Sequence, residues 1–187
     1  MTKLPIPESY WVEENRLLAG EYPGSYDLET ARRRIDAFLE AGITTFINLT
    51  EARELPPYEE ILAEEAKAYG IDVSHQRIPI LDFRVPSSET MSAILDAIDE
   101  SLGKGRRVYV HCWGGVGRTG MAVGCYLVRH GMPNEQAIEK VDQLYKSRPM
   151  GFRHPRSPET DAQVEFIRNW WDDPEDLNRS LKCFCEG

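Results

Sequence analysis

The sequence predicts a single α/β domain with a central, parallel-rich sheet flanked by helices. Three observations predict it. Short apolar runs alternate with longer amphipathic stretches along the chain, the pattern of strands joined by crossover helices. At 187 residues, 41% hydrophobic and 28% charged, the chain has the length of one ordinary domain and the composition of a globule with one sizeable core. No internal repeat or low-complexity segment interrupts the pattern.

The elements follow in order. Arg16 to Gly20 reads as a short strand. Leu28 to Leu39 has a helical period that puts Ile35, Phe38 and Leu39 on one side, with Gly42 as a C-terminal stop. Thr44 to Leu49 is β-branched and aromatic, the mark of a buried strand. Pro57 can open a helix that runs to Tyr69 and stops at Gly70. Val73 to Ile78 is a weaker strand. Pro79 to Pro86 is bracketed by prolines and reads as a loop. Ser87 or Ser88 caps a helix through Leu102, with Glu89 in its first turn. Val108 to Val110 is a buried strand, followed by a glycine-rich turn and an apolar helix from about Arg118 to His130. Asn134 is expected to cap the next helix, and Ser157-Pro158-Glu159 to open a last one through Trp171. The residues from 172 to 187 read as a polar tail outside the domain, which occupies 1–171.

Charge and cysteine usage exclude several classes. The formal net charge of -9 argues against a broad cationic face for nucleic acid or an anionic membrane. No run approaches a membrane span, and the first residues lack the apolar core of a secretory signal. Cys112, Cys125, Cys183 and Cys185 form no evenly spaced framework, so a cytoplasmic location is expected. Cys183 and Cys185 fit a plain polar tail better than a redox or metal site, since no histidine lies near them. Cys125, between Gly124 and Tyr126 in an apolar helix, reads as core.

The segment that carries chemistry is His111-Cys112-Trp113-Gly114-Gly115-Val116-Gly117-Arg118-Thr119-Gly120. It lies between a buried strand and a helix N-terminus. Its glycines let successive backbone N–H groups turn inward around one point, and the helix dipole adds positive potential there. Trp113, Gly114, Gly115, Val116 and Gly117 form the wall of this expected anion site. Cys112 stands at its entrance. Arg118 stands at its far side, where a guanidinium can grip two phosphate oxygens in a planar fork. The same field favours a thiolate nucleophile at Cys112. His111 is expected to orient the loop through hydrogen bonds, and Thr119 to donate its hydroxyl to the departing sulfur. A structural cysteine beside a glycine-rich turn accounts less well for the arginine six positions on, followed by Thr-Gly and a helix.

This segment resembles the His-Cys-x5-Arg-Thr-Gly signature loop of the cysteine-based protein tyrosine and dual-specificity phosphatases. Ile80-Leu81-Asp82, with Pro86 beyond it, resembles their general-acid loop. Ser157-Pro158-Glu159-Thr160, Gln163 and Phe166 resemble their closing C-terminal segment. The resemblance covers roughly residues 11–171. Rhodaneses and arsenate reductases share a Cys-x5-Arg loop, but do not account for His111, the Thr-Gly and Asp82 together.

The resemblance implies a two-step, metal-independent reaction with no cofactor. Cys112 attacks phosphorus while Asp82 protonates the leaving oxygen. Water then hydrolyses the cysteinyl-phosphate with Asp82 as base. Asp72 is the rival acid, but no proline follows it. Gln163 is a candidate for orienting the water, or a solvated helix residue. Arg84, and Arg53 with Tyr58 in an expected surface loop, are candidates for the pocket's border. Of the neighbours Trp170 and Trp171, one is expected to be core. The implied substrate is a phosphorylated protein, with phosphotyrosine or the phosphoserine and phosphothreonine of a dual-specificity enzyme as the target. The loop's variable positions hold no lysine, which argues against highly charged inositol phosphates. Phosphoinositide or inositol-phosphate hydrolysis, RNA 5′-triphosphate hydrolysis and non-catalytic phosphate binding are the alternatives.

Overall fold

The structure, a computed structural model, describes residues 3–149 and 151–171. The elements run β1 (Ser9–Glu13), β2 (Leu17–Gly20), α1 (Leu28–Glu40), β3 (Ile43–Asn48), α2 (Glu59–Tyr69), β4 (Ser74–Arg77), α3 (Ser88–Gly103), β5 (Arg107–His111), α4 (Gly117–Arg129), α5 (Asn134–Lys146) and α6 (Asp161–Arg168). The five strands form one sheet in the order β1-β2-β5-β3-β4. β2, β5, β3 and β4 are mutually parallel. β1 is the exception: it pairs antiparallel with β2 in a hairpin and closes that edge. The predicted α/β class with a parallel-rich sheet is what the chain forms.

Side-chain alternation along the central strands divides the core into two layers. Leu17, Ala19, Ile47, Val108 and Val110 face a cluster shared with Ile94 and Ile98 of α3, Met121 and Cys125 of α4, and Val141 of α5. Leu18, Phe46 and Tyr109 face the other way, against Ile35, Phe38 and Leu39 of α1 and Leu62 and Ala66 of α2. β5 therefore has helices on both sides, and its run Val108-Tyr109-Val110 is fully buried. β4, with the sequence Ser-His-Gln-Arg, is a polar edge strand.

The caps explain most element ends. Asp27 accepts from the Thr30 amide at the start of α1, and Ser87 accepts from Thr90 at the start of α3. Gly70 ends α2 in the left-handed conformation, φ 67°. Two expected caps are corrected. Asn134 is the first residue of α5 rather than its cap. Its side-chain amide instead donates to the carbonyls of Ile167 and Trp170, at 2.8 and 2.9 Å, and so satisfies the C-terminal end of α6. Ser157 does not open α6. That helix starts at Asp161, because Thr160 and Gln163 form a reciprocal capping box. Trp170 is buried and Trp171 exposed. Cys125 is core. Cys183, Cys185 and the tail from 172 to 187 lie outside the described residues. Among the described residues, no helix is long and apolar enough to cross a membrane.

Phe38 is the clearest anchor of the second layer. It is fully buried, 4.3 Å from the Tyr109 ring and 5.8 Å from Phe46. Phe38→Ala is expected to lower unfolding free energy by about 3–5 kcal/mol, read from urea denaturation. A loss below about 1 kcal/mol would show that α1 does not hold β5 from that side.

Candidate active site

The loop Cys112–Val116 leaves the carboxyl end of β5 at the middle of the sheet and enters α4 at Gly117. Ligand crevices in open parallel sheets form at this kind of position. A cleft of about 350 Å³ opens there, lined by Asp82, Phe83, Cys112, Trp113, Gly114, Val116, Gly117, Arg118, His154 and Glu159. The signature segment and Asp82 are thus brought together from two distant stretches of chain.

The loop is shaped from outside. The Trp113 carbonyl accepts from the Tyr22 amide at 2.8 Å. The Gly114 carbonyl accepts from Arg148 Nη1 at 3.3 Å. The Val116 carbonyl accepts from Ser157 Oγ at 2.7 Å. The Cys112 carbonyl lies 3.3 Å from His111 Nδ1. None of these four partners lines the cleft. A trans peptide points its C=O and the next N–H in opposite directions. Holding these carbonyls away from the cleft therefore points the N–H groups of Trp113, Gly114, Gly115 and Gly117 to the opposite side of their peptides, and Trp113, Gly114 and Gly117 line the cleft. Gly115 has φ 67°, and a Cβ there would collide with the Gly20 backbone. Only glycine fits both constraints.

Arg118 is buried with its guanidinium already engaged. Nη1 and Nη2 donate to the two Glu54 carboxylate oxygens at 2.8 and 2.6 Å, and Nη1 also donates to the Ile80 carbonyl at 3.2 Å. Nη2 lies 3.0 Å from Asp82 Oδ1. Burial disfavours ionised Glu54, but the hydrogen bonds from Arg118 and the Glu51 amide prevail and hold its carboxyl below the usual range. Glu54 and Ile80 thus fix one edge of the guanidinium. The Nε–Nη2 edge is left for Asp82 or for an anion in the cleft.

Glu54 was not singled out by the sequence. It lies in the loop after β3, where a lone glutamate among other acids gives no signal. Tyr58 in the same stretch corrects the surface-loop expectation. It is fully buried as the residue preceding α2, and its hydroxyl lies 2.8 Å from His111 Nε2. His111 is also fully buried, and burial lowers its pKa from 6.5 to about 3, so the ring is neutral near pH 7. A carbonyl can only accept, so Nδ1 carries the proton toward Cys112, and the Tyr58 hydroxyl donates to Nε2.

The remaining candidates divide. Thr119 is fully buried and its Oγ1 has no hydrogen-bond partner among the described residues. Gln163 is buried, not solvated; its Oε1 accepts from the Thr160 amide in the capping box, and it packs against Gly117 without lining the cleft. Asp72 is exposed and paired with Arg106, on the amino side of β4 and away from the cleft lining. Arg84 and Arg53 are exposed and do not line the cleft. His154 and Glu159, 3.2 Å apart, do line it and add a titratable pair that the sequence alone did not place there. Phe83 has φ 57°, a left-handed conformation rare for an aromatic residue, directly after Asp82.

Comparison with known proteins places this geometry in context. Residues 7–167 match the family model described as Swiss Army Knife protein, DSP-PTPase phosphatase domain. Protein tyrosine phosphatase domain-containing protein 1 of Mus musculus is 32% identical over 173 residues, 87% of this chain and 21% of that protein. Phosphatidylglycerophosphate phosphatase PTPMT1 of Arabidopsis thaliana is 36% identical over 93 residues, 49% of this chain and 26% of that protein. The chain thus spans about a quarter or less of the length of these curated relatives. The crystal structure of Tk-PTP in the active form is similar with a TM-score of 0.65 and 26% identity, covering 87% of this chain and 95% of that one.

The neutral, buried His111 has a consequence for stability. In the unfolded chain the imidazole takes up a proton below about pH 6.5, whereas in the fold it does so only near pH 3. The unfolded state therefore binds the extra proton across this window, and stability falls as pH falls, by about 1.4 kcal/mol per unit. Wild type should lose about 2 kcal/mol more than His111→Asn between pH 7 and pH 5 in urea titrations. Equal slopes for the two proteins would show that His111 is not held neutral.

Proposed function

The chain belongs to the DSP-PTPase family of cysteine-based phosphatases, and from that membership we propose that it hydrolyses phosphotyrosine on protein substrates through a cysteinyl-phosphate on Cys112. The observation that carries this reading is the convergence of Cys112, the outward-tethered loop and the Arg118 fork on one cleft that Asp82 also lines.

A phosphoryl group seated on the loop N–H groups would take the Nε–Nη2 edge of Arg118 and displace Asp82 from Nη2. Asp82, about half exposed, would then be released toward the leaving oxygen. In this reading Cys112 attacks phosphorus and Asp82 supplies the proton that the leaving oxygen needs. Asp82 then takes the proton from the water that cleaves the thiophosphate bond. The N–H groups and Arg118 stabilise the equatorial oxygens in both steps. Glu54 does not touch the phosphate; it holds the guanidinium plane where both steps need it.

The cleft lining supports a substrate with one phosphate on an apolar or aromatic carrier. Among the described residues Arg118 is its one arginine and it has no lysine, and Asp82 and Glu159 add two carboxylates that would repel further phosphates. Phe83 and Trp113 line the same cleft and are both more than half exposed, which offers ring faces to a phenol. The similarity to a phosphatidylglycerophosphate phosphatase favours one second reading, a phosphomonoester on a lipid. Turnover of a phosphotyrosine peptide, a phosphoserine peptide, phosphatidylglycerophosphate and an inositol polyphosphate under one condition separates the readings. The phosphotyrosine peptide is expected to give the highest kcat/KM; a lipid or inositol phosphate exceeding it would overturn the protein-substrate assignment.

Asp82→Asn tests the acid role. Wild-type kcat/KM should fall at high pH, and the mutant should lose that descending limb because an amide has no such proton to give. The loss should grow with leaving-group pKa, reaching something like 10²–10⁴-fold for an unactivated phenol. An equal factor for every aryl phosphate, or a retained descending limb, would assign the acid elsewhere, and Glu159 would be the next residue to change.

A further inference from the structure

Arg148, just past the end of α5, has a setting unlike the other buried arginines. Arg118 is paired with Glu54, and Arg129 with Asp96 and Asp99. Arg148 is 6% exposed and forms no ion pair with any described carboxylate. Its Nη1 donates to two carbonyls, Glu8 at 2.9 Å and Gly114 at 3.3 Å. Its guanidinium carbon sits 4.1 Å from the Tyr145 ring centre, and its Nε is buried without a hydrogen-bond partner among the described residues. Burying a charge without a direct ion pair is costly, and is retained where the charge has other work.

The geometry suggests that work. Gly114 and Gly115 are adjacent, so their shared peptide has little steric reason to keep one orientation. Arg148 grips the carbonyl of that peptide, and its N–H, that of Gly115, points to the opposite side of the peptide, away from Arg148. The second bond, to Glu8, ties the same guanidinium to the chain just before β1, and the Tyr145 ring holds its plane. The positive charge thus stands behind the phosphate loop without entering the cleft. The Glu21 carboxylate acts on this charge through space without an ion pair, and a dianion seated on the loop would face it from the cleft side.

We propose that Arg148 is a positioning residue of the phosphate site, which fixes the Gly114–Gly115 peptide with its N–H inward and polarises it toward a bound phosphoryl group. The proposal rests on the reading of Cys112 and Arg118 as that site. Arg148→Met removes both hydrogen bonds and the charge, and Arg148→Lys keeps the charge without the planar fork. The readouts are kcat and KM for an aryl phosphate, inhibition by vanadate, and melting temperature. Arg129→Met, which removes a buried guanidinium distant from the loop, is the control for stability alone.

Arg148→Met is expected to lower kcat by about 10²-fold through the misplaced peptide and to weaken vanadate inhibition roughly ten- to a hundredfold. Arg148→Lys should fold and recover part of both, which keeps the test decisive if the methionine variant does not fold. Arg129→Met should melt earlier with kcat and vanadate inhibition unchanged. If both Arg148 variants melt earlier but keep wild-type kcat and vanadate inhibition, Arg148 is structural and the proposal fails alone. If the wild type neither turns over an aryl phosphate nor binds vanadate, the phosphate site itself is misread and the proposal falls with it.

Discussion

The site depends on one constraint: the carbonyls of Cys112, Trp113, Gly114 and Val116 must be held on the far side of the loop from the cleft. A loop rich in glycine has no intrinsic reason to present its N–H groups to one point, and left free it would pay the full backbone entropy of ordering. Here the outward partners come from four places in the chain: the turn after β2 through Tyr22, the end of β5 through His111, the end of α5 through Arg148, and the segment before α6 through Ser157. The folded domain supplies them all at once. The cage is therefore a property of the tertiary structure, although its residues are contiguous.

The same logic applies to Arg118. An isolated guanidinium could swing across the cleft. Glu54 and the Ile80 carbonyl fix one edge of it, leaving a defined edge toward the reacting group. Glu54 arrives from the loop after β3 and Ile80 from the loop after β4, so the two strands beyond β5 set the arginine while the two on its other side help set the loop. The buried Tyr58–His111 pair links these halves, since Tyr58 precedes α2 and His111 ends β5. In the proposed reading, this is how a sheet of this topology converts strand order into a preorganised anion site.

The parts legible in the sequence are those carried by local pattern. β5 announces itself because it is buried on both faces, and the glycine spacing with Cys112 and Arg118 identifies the loop. β1 was not visible. Ser-Tyr-Trp-Val-Glu is an edge segment whose strand state depends on pairing with β2, and that pairing is not local. Asn134 and Ser157 were read as caps because their residue types favour that role, but tertiary partners claimed their side chains. Glu54, Tyr58, His154 and Arg148 were missed, or placed at a surface, for a shared reason. Each acts on the loop or cleft from a distant stretch, and nothing in the residues beside it reports the partner. Proline bracketing marks the loop of Asp82 and the resemblance gives its expected role; the structure puts Asp82 on the cleft lining and Asp72 in an exposed pair with Arg106.

If phosphate passes through Cys112, turnover must form a phosphoryl adduct on that residue. The direct test is to quench the enzyme in acid during turnover of an aryl phosphate, using Asp82→Asn to slow the water step, and to map any phosphoryl adduct by peptide mass spectrometry. The expected result is an adduct on the peptide containing Cys112, formed in the same burst as the first equivalent of phenol and lost in Cys112→Ser. An adduct on another residue, or steady turnover by Cys112→Ser, would contradict it.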